Sequence, residues 1–301
     1  MFQRASIGLA AVSLGMSAAA DAREPVVLAP LKPWNLHYAE NSCQLFRTFG
    51  DPAKPTTLVL EQIAPDSPMT MMVYGGVLSA RVGSGMAQAA FLPFVDNRFE
   101  FGDVTEVAES RQTALLWTSV NLLPGWPKKP DSDAPDRKRD VAKGNEKRSL
   151  EQATAAAVTG IEVKEPRGRT TVLRTGSLAR VHAMMRECGR EQMKAWGLDP
   201  ATEDKIVLGA QARRNLASFL DWTDYPTDAM RSGQQSIISA RLIVGADGKV
   251  TNCTPLTPFV GDGFKEVVCR NLSKALFEPA ELADGTKVPT FVTARVKFLM
   301  P

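Results

Sequence analysis

Hydrophobic and polar positions divide this chain into two unlike halves. Over residues 31–123 short apolar runs alternate loosely with polar ones and break at turn residues. WNLHYAENSCQLFRTFG closes at Gly50-Asp51-Pro52, and TTLVLEQIA carries Leu58, Leu60 and Ile63 as its apolar positions. MTMMVYGGVLSARV follows a turn from Pro65 to Pro68, and RFEFGDV and TALLWTSVNLL continue the series. Strand-length runs rich in β-branched and aromatic residues, punctuated by Gly, Pro and Asp, predict a mainly antiparallel and sandwich-like sheet.

The pattern then lapses. From Pro124 to Gln152 large apolar side chains are nearly absent, and Lys128–Arg148 holds eight Lys or Arg against five Asp or Glu. Mixed charge with prolines predicts a solvated loop. After a short strand at TVLRTG, Leu178, Val181, Met185 and Cys188 recur at helical spacing between Ser177, a good N-cap, and Gly197, a good stop. The stripe shifts after Cys188, so Gly189 is expected to mark a kink. This late helix completes a β-rich domain over 31–197, and residues 198–221 read as a linker.

A sharper pattern begins near residue 222. PTDAMRSG predicts a short helix opened by Pro226 and stopped by Gly233. In SIISARLIV, Ile238, Ala240, Leu242 and Val244 share one face, and Gly245–Gly248 reverses the chain into KVTNCTPL as a hairpin. Phe264, Val268, Leu272 and Ala275 then form an amphipathic helical stripe made to cover one face of that hairpin. The closing VPTFVTARVKFLMP alternates, with Val292, Ala294, Val296, Phe298 and Met300 on one face and Thr293, Arg295 and Lys297 on the other. The fold class is α+β: an antiparallel β domain with a late packing helix, followed by a small helix-covered sheet.

The first residues change the compartment. Arg4, an apolar stretch from Ala5 to about Met16 and small residues up to Ala22 predict a secretory signal over 1–22. The stretch falls short of the roughly 20 apolar residues that span a bilayer. An exported chain with Cys43, Cys188, Cys253 and Cys269 favours two disulfides. Of the three possible pairings, Cys43–Cys188 and Cys253–Cys269 keep each bridge within one half. The formal charge of +3 is too small to imply nucleic acid and permits weak attraction to an anionic cell wall.

YPTDAMRSGQ, ARLIVGADGKVTNC, the helix after it, Phe277-x-Pro279-Ala280 and TARVKFLMP together resemble the C-terminal domain of the TonB energy-transducer family. The resemblance covers about residues 222–301. It implies a periplasmic domain that reaches outer-membrane transporters and receives a short peptide from them by strand pairing. No Pro-rich spacer and no uncleaved membrane helix of the transducers is recognisable in this sequence.

Reactive side chains are sparse. His37 and His182 are the only histidines, Ser177 and His182 are five apart on one helix, and neither a G-x-S-x-G nor an H-E-x-x-H run occurs. Glu61 and Glu100 fall on strands as candidate carboxylates. No cysteine and histidine cluster has zinc-ligand spacing. The expectation is a nonenzymatic periplasmic protein without metal or cofactor, which binds an envelope protein along Phe291, Thr293, Arg295 and Lys297. An unpaired strand edge invites an extended peptide, and the two cations favour an acidic peptide or a wall fragment. The alternative is an envelope-processing enzyme whose first domain is catalytic and whose second localises it.

Overall fold

A computed structural model describes residues 24–107, 110–123, 139, 141–166, 169–256 and 262–298. The expected signal over 1–22, most of the charged stretch ahead of Val141, and Met300 lie outside the described residues.

The first half is built on β1 (Val26–Leu28), β2 (Asn35–Tyr38), β3 (Cys43–Asp51), β4 (Lys54–Gln62) and β5 (Met69–Gly75). It continues through β6 (Ala87–Leu92), β7 (Phe99–Glu106), β8 (Thr113–Val120), helix α1 (Val141–Ala157), β9 (Gly160–Lys164), β10 (Thr170–Leu173) and helix α2 (Ala179–Ala195). The strands form one ten-stranded sheet in the order β1-β10-β9-β6-β7-β8-β5-β4-β3-β2, antiparallel except for β1 beside β10. Beyond β1 the chain lies along β3: Pro30 bridges Phe49, Leu31 donates its N–H to Thr48 O at 2.9 Å, and Gly50 donates to Ala29 O at 2.9 Å. That tie draws the two ends of the sheet together and curls it into a half-barrel around a single core.

One curled sheet replaces the expected two-sheet sandwich. The deciding pairings, β6 with β9 and β1 with β10, join segments far apart in the chain. β6 reads poorly as a strand because Ala87, Ala89 and Ala90 have low β propensity, yet all three are buried. Burial among neighbours, not local preference, holds them extended.

Helix α1 corrects the reading of a solvated loop up to Gln152. Lys147 and Glu151, both half-buried, pair at 3.5 Å one turn apart, a spacing that supports a helix. Ala155 and Val158 at its end enter the core of the first half. Helix α2 docks Val181, Met185 and Cys188 on that core, with Leu178 buried just ahead of it. It runs without a break through Gly189, the position expected to mark a kink. A Cβ at Gly189 would come within 3.1 Å of Pro65, so glycine there serves close approach to the β4–β5 turn. The Cys43–Cys188 disulfide joins β3 to α2.

Helix α3 (Pro200–Glu203), β11 (Gln211–Ala212), a 3₁₀ turn over Leu216–Phe219 and helix α4 (Thr227–Arg231) lead into the second half. Its main elements are β12 (Ser236–Val244), β13 (Val250–Pro255) and helix α5 (Asp262–Leu272). Three short strands follow, β14 (Phe277–Glu278), β15 (Ala280–Glu281) and β16 (Lys287–Val288), before the long β17 (Thr290–Phe298). The sheet order β13-β12-β17 puts the last strand beside the first of the hairpin, both pairings antiparallel. At the turn, Gly248 has φ +80°, and a Cβ would meet Phe277 O at 2.2 Å, so no other residue fits. Ile238, Ala240, Leu242 and Val244 pack with Phe264, Val268 and Leu272 in a second core, and Cys253–Cys269 pins α5 to β13. Leu216, Phe219 and Leu220, within the stretch read as a linker, pack on that same core. Among the described residues no helix is long and apolar enough to cross a membrane.

Candidate functional site

β17 pairs with β12 on one side and, among the described residues, with no strand on the other. The hydrogen bonds of β12 fix which backbone groups are left over. Ser239 O accepts the Leu256 N–H across the β13 side. Peptide groups alternate in direction along a strand, so Ile238, Ala240 and Leu242 point to β17, where their partners are Val296, Ala294 and Val292. The remaining β17 residues, Phe291, Thr293, Arg295 and Lys297, direct their N–H and C=O groups outward. These four are the residues singled out from sequence as a peptide-binding strand.

Their side chains share the face turned away from α5. Thr293, Arg295 and Lys297 are exposed, and neither cation makes an ion pair among the described residues. Phe291 is half-buried and meets the Trp196 ring in a T-shaped contact at 5.6 Å. The open edge is therefore uneven: polar and free toward Lys297, engaged with the first half toward Phe291.

At the Phe291 end the edge borders a groove of about 730 Å³ between the two halves. Its other walls come from the β4–β5 turn, α1, α2 and the residues around α3. Arg148 lies 3.9 Å from Asp66 and 3.8 Å from Asp204, and Arg190 reaches Asp204 at 2.8 Å. Arg139 contacts Glu203 at 2.7 Å, and the other Glu203 oxygen accepts from Thr290 Oγ1 at 2.7 Å. Single exposed pairs contribute little, but this network spans the first half, α1, α2, α3 and the start of β17. Arg186 of α2 lines the same groove without an ion pair among the described residues.

On the groove wall His182 Nε2 lies 3.9 Å from Glu151 Oε2. Burial alone would raise the Glu151 pKa; the neighbouring His182 imidazole and Lys147 ammonium outweigh it and hold the carboxyl below its ordinary value. Ser177 Oγ accepts the Ala179 N–H at 3.3 Å, at the start of α2. His37 is exposed on β2, and Glu100 is exposed on β7. Glu61 accepts hydrogen bonds from Ser42 Oγ at 2.6 Å and Gln44 Nε2 at 2.8 Å, a tie between the Ser42–Gln44 stretch and β4. Among the described residues no three His, Cys, Asp or Glu converge as metal ligands.

The junction beside the groove carries a buried cation that the sequence reading passed over. Arg241 is 3% exposed, lies 3.7 Å over the Trp196 ring and donates from Nη2 to Asn41 Oδ1 at 3.2 Å. Among the described residues its Nε and Nη1 have no hydrogen-bond partner, nor has the buried Oε1 of Gln192 one turn before Trp196. Burial pushes the guanidinium down to about 10, so it stays charged at neutral pH. In sequence Arg241 is one polar position of an alternating strand, and nothing local marks it as buried.

Compared with protein-family models and with curated proteins, the chain matches none.

Proposed function

We propose that this chain is a nonenzymatic envelope protein that captures an extended segment of another envelope protein, such as an outer-membrane transporter, by adding it as a strand to β17. The carrying observation is the outward row of peptide groups at Phe291, Thr293, Arg295 and Lys297, which has no strand partner among the described residues. Such a row gains hydrogen bonds from an extended chain at little reorganisation cost, and the side chains beside it set the preference. Support also comes from the resemblance of residues 222–301 to the C-terminal domain of TonB transducers, which take peptides in this way. The two disulfides suit an oxidising compartment and agree with a periplasmic location.

The test is titration of the full chain with transporter-derived peptides, beside Thr293→Pro. Thr293 points its N–H outward, so proline there removes a donor for the incoming strand and leaves the β12 ladder whole. Saturable binding that weakens at least about tenfold in Thr293→Pro, with an unchanged unfolding midpoint, is the expected result. Equal binding by both proteins, or none by either, removes the reading.

A further inference from the structure

We propose that the segment received by β17 is acidic on one face, and that its leading end enters the interdomain groove, where Arg186 of the first half takes a carboxylate. This rests on the strand-addition reading and says which segments that edge selects. An added strand lays its side chains on the same two faces as β17. Residues opposite Lys297 and Arg295 fall on the face away from α5, about 7 Å apart at two residues per repeat. Both cations are exposed and unpaired among the described residues. Opposite charges directly across a strand pair attract, and like charges repel.

The intervening residues of the guest fall on the α5 face. There Val292 and Val296 are only half-buried, an apolar margin that a further row of apolar side chains would finish covering. The guest pattern is thus acidic and apolar in alternation.

Toward Phe291 the open edge runs into the groove, so the guest's end must enter it. The cations Arg139, Arg148 and Arg190 there are already held by Glu203, Asp66 and Asp204. Arg186 is half-buried and has no such partner among the described residues. It is the groove cation left for an incoming carboxylate, and it belongs to α2. The larger half therefore completes the binding site.

The probe is the peptide acetyl-Glu-Val-Glu-Val-Thr-Val-Glu-amide, labelled for fluorescence anisotropy, with its reversed sequence for the parallel register. Versions with every Glu replaced by Thr or by Lys, and one with only the final Glu replaced by Thr, are measured against the full chain. The acidic peptide should bind about tenfold more tightly than the neutral one, and the Lys peptide more weakly still. Arg295→Glu/Lys297→Glu should invert that order, and the gain for the Lys peptide shows that the variant is folded. Arg186→Glu should weaken the acidic peptide about fivefold and leave the version lacking the final Glu unchanged.

Equal affinity for acidic and neutral peptides, still abolished by Thr293→Pro, overturns the acidic pattern and leaves strand addition standing. Inversion by Arg295→Glu/Lys297→Glu with no effect of Arg186→Glu overturns the role of the groove. Binding that Thr293→Pro does not weaken, or no binding of any peptide, removes strand addition and this proposal with it.

Discussion

Trp196 receives Arg241 over its ring and Phe291 against it, so a single residue after α2 touches both long strands of the second half. Met193, Leu198 and Ile243 are buried in the same small cluster. A guanidinium without a carboxylate partner is costly to bury unless something replaces water, and a desolvated aromatic face does so in part. Trp196→Ala would strip Arg241 of the ring and leave a void beside Phe291. The expected loss is about 2 kcal/mol, below the range for a fully buried tryptophan because this one is half-exposed. A urea unfolding curve with a lower midpoint and unchanged slope checks it. Sequence reading finds Trp196 only as the residue before a helix-stopping Gly197. Its partners lie 45 and 95 positions away, beyond any local pattern.

The α1–α2 pair shows how an element escapes a compositional reading. Lysines, glutamates and small residues over 141–157 resemble a solvated loop, because much of the stretch is meant to face water even as a helix. Its docking depends on Ala155 reaching the core and on Glu151 beside His182 and Lys147. The Glu151 carboxyl is held below its ordinary value, so its contribution is present above about pH 4.3, the unfolded value, and is lost as the pH falls through the lowered one. Stability should therefore drop as the pH falls below the ordinary glutamate range, and the drop should be shallower in Glu151→Gln. Urea midpoints for both proteins, followed from neutral pH into acid, test it; parallel curves would contradict it.

Across the whole molecule the two disulfides do unequal work. Cys43–Cys188 closes 145 residues and ties β3 to the helix whose far end meets the second half. Cys253–Cys269 closes 16 residues within the small domain. Loop-closure entropy gives about 5 kcal/mol for the long bridge and about 3 kcal/mol for the short one. Cys43→Ser/Cys188→Ser should accordingly lower the unfolding free energy more than Cys253→Ser/Cys269→Ser, by a difference of about 2 kcal/mol in denaturant titrations. The longer bridge also steadies the wall of the groove that α2 lines beside the open edge.

Most of the small domain was legible in the chain. Alternation over 236–244 and 290–298, the Gly248 turn and the 264–275 stripe are local signals, each read within a dozen residues. Both disulfide pairings followed from parity and economy. The curl of the ten-stranded sheet, the helix at α1, the burial of Arg241 and the groove beside β17 were not legible. Each depends on contacts between segments many tens of residues apart, where long-range burial overrides local propensity and charge. Periodicity determines which face of an element is apolar; only the packed chain decides what that face meets, and which backbone edge is left open.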